Sequence, residues 1–212
     1  RTDRLARGEA LGEVTRGLCR ALAVAHPVVP MSDDPVRTWV DTDEGQLPFQ
    51  DYFVRRQCRP AVSAISFHGV EQATPHPAWF DQLSDPGLDA VVICPSNPFV
   101  SVDPILSLPG VRRALADATA RIIAVSPIIG GQAVKGPAAK MLAELGLEVS
   151  AGEVCRYYGD LLDTFVIDEV DATLAPGLES PNLEVVVTPT LMKTLADKER
   201  LAARVLALLE RT

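Results

Sequence analysis

Short apolar runs that stop at proline, glycine or small polar residues recur through the second half of this chain. LDAVVIC at 88–94, RIIAVS at 121–126, TFVI at 164–167 and LEVVVT at 183–188 have strand length and β-branched content. Between them lie helical patterns: 108–115, entered through Pro109 and Gly110, and a run of good helix formers from Pro137 to Leu145. Alternation of strand and helix over 88–187 predicts an α/β fold with a mostly parallel sheet. The first half reads differently. Leu5, Leu11, Val14, Leu18 and Leu22 recur at helical spacing within 3–24, which predicts one amphipathic helix laid on the sheet by its apolar face. Residues 36–40 and 47–54 flank a turn-like TDEG at 42–45, and 61–67 alternates as a half-buried strand. Residues 31–68 therefore read as a small inserted lid, and 194–210 as a closing amphipathic helix. The predicted whole is a single Rossmann-like domain over 1–212, three layers α/β/α.

Composition narrows the function classes. With 212 residues, 47% hydrophobic and 23% charged, the chain can bury one sizeable core. It has no stretch of 18 apolar residues and no signal-peptide pattern, so neither a membrane partner nor secretion is indicated and a cytoplasmic setting is expected. A net charge of −8 argues against non-specific nucleic-acid binding. Cys19, Cys58, Cys94 and Cys155 are scattered without metal-ligand spacing, so buried reduced thiols are expected; His26, His68 and His76 form no motif.

Candidate chemistry gathers in two loops. The segment 126–140, SPIIGGQAVKGPAAK, places Gly130, Gly131, Lys135 and Gly136 between an apolar strand and a helix, the composition of an anion site. It is neither a Walker loop nor a dinucleotide fingerprint, and a glycine-rich turn beside a solvated lysine is the alternative. The second loop, PSNP at 95–98 followed by Ser101 and Asp103, ends another strand. If the two strands are parallel neighbours, both loops face one crevice outside their carboxyl ends. Ser96, Asn97, Ser101 and Ser126 are then suited to phosphate or base contacts, with Gly130, Gly131, Lys135 and Gly136 as the phosphate candidates. Ser101 equally suits a helix cap. Arg112 and Lys140 are more simply read as surface residues, and Tyr157 and Tyr158 as packing or stacking aromatics. An acidic protein that holds a diphosphate needs local positive charge or a divalent cation. Magnesium would need one or two carboxylates beside the phosphates, and Asp33, Asp34 and Asp160 are the candidates for base or metal roles.

Taken in order, CPSNPFVSVDPIL at 94–106, PGVR at 109–112, SPIIGG at 126–131, KGPAAK at 135–140 and YGD at 158–160 resemble the 2-phospho-L-lactate transferase family of coenzyme F-420 biosynthesis. MSDDPVR at 31–37 and LPFQDYFV at 47–54 resemble the same family's middle region. The resemblance implies transfer of a phospholactyl-type group, from 2-phospholactate, phosphoenolpyruvate or 3-phosphoglycerate donors linked to guanosine diphosphate, onto the hydroxyl of the deazaflavin Fo, with release of GMP. It also implies Mg2+ and, from symmetry base rates, a homodimer. The family's opening strand, glycine-rich loop and acidic residues have no counterpart here, so the chain reads as the C-terminal part of a longer protein, with some metal groups outside it. A non-enzymatic nucleotide-sugar-binding regulator of the same fold is the second expectation; PSNP and SPIIGG favour the transferase.

Overall fold

The computed structural model describes residues 1–211. It begins with two short helices, α1 (Thr2–Ala6) and α2 (Leu11–Ala21), where the periodicity predicts one. Gly8 makes the break: its φ of +83° is left-handed and stops a right-handed helix. The predicted apolar seat on the sheet is also corrected. Val14 is buried, but Leu5, Leu18 and Leu22 are exposed. What holds α2 is its first turn, where the Gly12 N–H donates to Asp33 Oδ1 at 2.6 Å.

Three strands follow, β1 (Arg37–Thr42), β2 (Gly45–Pro48) and β3 (Val62–His68), in an antiparallel sheet ordered β2-β1-β3. The turn expected at 42–45 closes with Thr42 opposite Gly45, whose φ of +98° only glycine adopts readily. The second strand is shorter than the predicted 47–54, because Asp51–Arg55 coils into a helical turn that buries the Tyr52 ring completely. This sheet is tied to the rest of the molecule through α6, introduced below: Lys140 Nζ donates to the Pro60 carbonyl at 2.8 Å, and Glu144 Oε2 accepts the Val62 N–H at 3.0 Å.

After α3 (Pro77–Phe80) come β4 (Ala90–Ile93), α4 (Asp103–Leu106), α5 (Val111–Asp117) and β5 (Arg121–Val125). A two-stranded hairpin, β6 (Ile128–Ile129) and β7 (Gln132–Ala133), precedes α6 (Ala138–Glu144) and α7 (Ala151–Tyr158). β8 (Thr164–Ile167), α8 (Ala175–Leu178), β9 (Glu184–Val187) and α9 (Leu195–Leu206) complete the chain order. The main sheet is parallel, ordered β4-β5-β8-β9, with Val91 opposite Ile122, Ala124 opposite Phe165 and Phe165 opposite Val185.

Strand alternation divides the core into two faces. Ile122, Ala124, Phe165, Ile167 and Val185 join the large cluster under α4 to α7, whereas Ile123, Val125, Val166 and Val186 pack beneath Leu201, Val205 and Leu208 of the closing helix and its end. Nearly continuous apolar strands are what a parallel sheet covered on both sides requires. The expectation of buried thiols holds for Cys155, whose burial pushes its thiol up to about 11. It fails for Cys94, which is exposed because β4 is the edge strand of the described sheet; Cys19 and Cys58 are half-buried.

Candidate active site

The loops that leave the carboxyl ends of the parallel strands converge. Asn97 follows β4, Ser126 and Lys135 follow β5, and Thr190 and Lys198 follow β9; together they line a crevice of about 180 Å3. That volume is below the roughly 300–1,000 Å3 of a pocket for a whole small ligand, and suits an anionic group rather than a nucleoside. Among the described residues lining it there is no carboxylate, and neither Lys135 nor Lys198 has an ion-pair partner.

The glycine pair builds a hairpin turn. Gly130 and Gly131, at φ +56° and +73°, are the two-residue turn of the β6–β7 hairpin, with Ile129 opposite Gln132. Successive left-handed residues match the twist of a tight hairpin, and glycine takes them without strain. The Gly130 N–H is engaged, donating to both Asp171 oxygens at 3.0 and 3.2 Å. The pair therefore shapes the hairpin whose exit carries Lys135, instead of opening directly onto a helix as the sequence suggests. Gly136, at φ +72° with nothing within 4 Å of where a Cβ would stand, lets the chain swing into α6.

The polar candidates divide between two places. Ser126 is buried; its hydroxyl donates to the Ile128 carbonyl at 2.9 Å and accepts the Ile128 N–H at 3.1 Å, fixing the turn after β5. Asn97 accepts the Phe99 N–H at 3.0 Å and donates to Met141 Sδ at 3.3 Å, so it too shapes its loop. Ser96 and Ser101 face a separate, mainly apolar groove of about 440 Å3 along the free side of β4, which Met31, Trp79 and Val92 also line. Of the sequence-predicted side chains, Lys135 alone brings an unpaired charge to the crevice.

Asp33, Asp34 and Asp160 do not come into that crevice. Asp33 accepts the Gly12 N–H and stands 3.9 Å from His76 Nε2, Asp34 accepts the Thr74 N–H at 2.8 Å, and Asp160 is exposed in the turn after α7. The first two bind loop to loop, as carboxylates in turns commonly do. Among the described residues no three His, Cys, Asp or Glu side chains are grouped to hold a metal ion. These residues do not fit a protein-built magnesium cage.

Two buried aspartates went unpredicted because DEVD at 168–171 reads as an ordinary solvated turn. Asp168 accepts the Thr190 N–H at 2.7 Å and the Thr190 hydroxyl at 3.0 Å, and caps the following turn through the Val170 N–H at 3.2 Å. Burial pushes its carboxyl up, but these donors outweigh burial and hold it below the usual carboxylate value. With Asp171, it pins the β6–β7 hairpin and the β9–α9 loop to the end of β8. A third carboxylate, Asp103, accepts the Tyr157 hydroxyl inside a cavity of about 190 Å3 that Phe99 and Phe67 also line. Arg112 lies 3.6 Å from its other oxygen. Burial raises the Asp103 carboxyl above its usual value, against the opposing pull of Tyr157 and Arg112. Tyr157 meets Phe99 edge-on at 4.9 Å and Tyr158 is buried, so both tyrosines pack.

The sequence profile of the 2-phospho-L-lactate transferase CofD family matches residues 1–204. The chain belongs to this family. It is 37% identical over 208 residues to the 2-phospho-L-lactate transferase of Methanococcoides burtonii, covering 98% of this chain and 67% of that one. To the phosphoenolpyruvate transferase of Streptomyces griseus it is 36% identical over 215 residues, covering 99% and 67%. The 2-phospho-L-lactate transferase of Halobacterium salinarum is 40% identical over 202 residues, covering 95% and 56%. The chain thus spans about two thirds or less of the length of these curated relatives. In fold it is similar to a crystal structure of a Bacillus halodurans protein of the upf0052 family, with a TM-score of 0.64 at 13% identity over 96% of this chain and 68% of that one. The resemblance read from PSNP and SPIIGG is therefore borne out at the level of the family, and the α/β fold with it. The regulator alternative finds no support: these three relatives are named as transferases.

Proposed function

We propose that the protein transfers a phospho-acid group from a guanosine diphosphate-linked donor to the hydroxyl of the deazaflavin Fo, the phospholactyl-type step of coenzyme F-420 biosynthesis, and that the donor's diphosphate sits in the crevice beside Lys135. Family membership supports the transferase chemistry. The observation that carries the placement is the crevice itself: it lies where ligands of parallel sheets bind, has no carboxylate among its lining residues, and holds an unpaired lysine on a glycine-shaped hairpin.

In the proposed reaction the acceptor hydroxyl oxygen bonds to the phosphorus that carries the acid. The anhydride P–O bond breaks, GMP leaves with the electron pair, and the hydroxyl proton is lost. Charge grows on the departing phosphate, so a fixed cation beside it favours the transition state more than the ground state. Lys135 would supply that charge, and the hairpin, pinned at Gly130 by Asp171, would hold it in place.

The test is to give the protein deazaflavin, magnesium and each of the three donors, and to measure GMP release and product mass. A deazaflavin adduct from one donor, with guanosine nucleotides bound far more tightly than uridine nucleotides, is the expected result. Tight uridine diphosphate-sugar binding without transfer would overturn the proposal.

A further inference from the structure

The closing helix brings a second lysine to the crevice. Leu201, Val205 and Leu208 form the stripe of α9 and its end that covers one face of the parallel sheet. One turn toward the helix start the stripe runs on to the half-buried Asp197, and Lys198 beside it is exposed. There the sheet ends and the crevice begins, and Lys198 lines it together with Lys135. Lys198 is exposed, so its ammonium is available to water or an anion at the crevice.

The approach of Lys198 is built from behind. Asp168 fixes Thr190 through two hydrogen bonds, at 2.7 and 3.0 Å. Four residues on, Thr194 and Asp197 form a reciprocal capping box, Thr194 Oγ1 accepting the Asp197 N–H at 3.2 Å and Asp197 Oδ2 accepting the Thr194 N–H at 2.8 Å. Asp197 is also paired with Arg200 at 2.8 Å, which leaves Lys198 without an ionic partner among the described residues. The two crevice lysines come from different elements, the hairpin exit and α9, and both loops are pinned by aspartates of the same turn after β8.

We infer that Lys198 is a second phosphate-binding cation, and that the Lys135–Lys198 pair selects a nucleoside diphosphate over a monophosphate. This rests on the nucleotide reading of the crevice. A diphosphate carries more negative charge than one ammonium can neutralise, in a protein whose net charge is −8. Two lysines on separate elements can address two phosphates. A monophosphate would engage one of them, which makes GMP the weaker ligand and favours its release after transfer.

Calorimetry with GDP and GMP on the protein, on K198Q, on K198R and on K193Q tests this. K198Q should weaken GDP binding roughly ten- to hundredfold while changing GMP binding much less, and should flatten the loss of GDP affinity with added salt. K198R should recover most of the affinity, and K193Q, altered on the neighbouring turn, should behave as wild type. Equal GDP affinity in K198Q and wild type, or equal losses for GDP and GMP, would overturn the inference and leave the nucleotide reading intact. Failure of the wild-type protein to bind GDP would overturn the nucleotide reading itself, and with it this one.

Discussion

Asp171 accepts the Gly130 amide through both carboxylate oxygens, at 3.0 and 3.2 Å, and so fastens the turn after β8 to the tip of the β6–β7 hairpin. The side chain is buried, and the hairpin it holds leads directly to Lys135. Removing the carboxylate in Asp171→Ala should cost about 1.5–3 kcal/mol of stability, the range for a hydrogen bond to a charged group. It should also raise the KM for the donor, because the hairpin loses its anchor. Asp171→Asn keeps one acceptor and should recover much of both. Denaturant unfolding and donor titration would check this, and identical behaviour of the two variants would count against an anchoring role.

Lys135 and Lys140 separate chemistry from architecture. Lys140 is paired with Glu144, donates to the Pro60 carbonyl at 2.8 Å and lies 5.8 Å from the Tyr52 ring centroid, so it joins α6 to the antiparallel sheet. Lys135 has no such partner among the described residues. Lys135→Ala should lower transfer about ten- to hundredfold with the unfolding midpoint unchanged. Lys140→Ala should do the reverse, losing about 1 kcal/mol of stability with a small change in rate. Rate assays beside denaturant curves for both variants give the comparison.

The parallel sheet was legible because its strands are short β-branched runs ended by proline, glycine or serine, and buried strands need little else. The meeting of the two loops followed from their being parallel neighbours. Tertiary context decided the rest. The helical stripe over 3–24 is periodic, but Gly8 takes a left-handed φ and Leu18 and Leu22 have no described surface to cover them. Gly130 and Gly131 announced a tight turn, yet whether the Gly130 amide faces a ligand or a carboxylate depends on Asp171, 41 residues away. Asp168 and Asp171 sit in a stretch that looks solvated and is buried by the loops it binds. Lys198 left no signal: it occupies an exposed position of α9, where a lysine is ordinary.

Asp168 should make the acid side of the stability profile steeper. Its carboxyl is held below the usual value by the Thr190 and Val170 donors acting against burial, so the native state binds fewer protons than the unfolded chain near its unfolded pKa of about 3.9. The contribution is present above that pH and lost as pH falls through the lower, folded value. Asp168→Asn should therefore be less stable than wild type by about 1–3 kcal/mol at pH 7, with the gap closing below about pH 4. A gap that stays constant from pH 7 to pH 3 would show that the charge contributes nothing.

Asp103 should act with the opposite sign. Burial raises its carboxyl despite Tyr157 and Arg112, so above about pH 3.9 the native state holds a proton that the unfolded chain has released. Stability then falls as pH rises through that window, and at neutral pH the ionised carboxylate is a net cost of burial. Asp103→Asn removes the titration while its amide oxygen still accepts from Tyr157. Its stability should lie within about 1 kcal/mol of wild type at pH 7, and its unfolding free energy should decline less between pH 4 and pH 7. Asp103→Leu strands the Tyr157 hydroxyl beside Phe99 in the 190 Å3 cavity and should cost about 1–3 kcal/mol at both pH values. Guanidinium unfolding of the three proteins at pH 4 and pH 7 decides it, and a steeper decline in Asp103→Asn than in wild type would reverse the assigned sign.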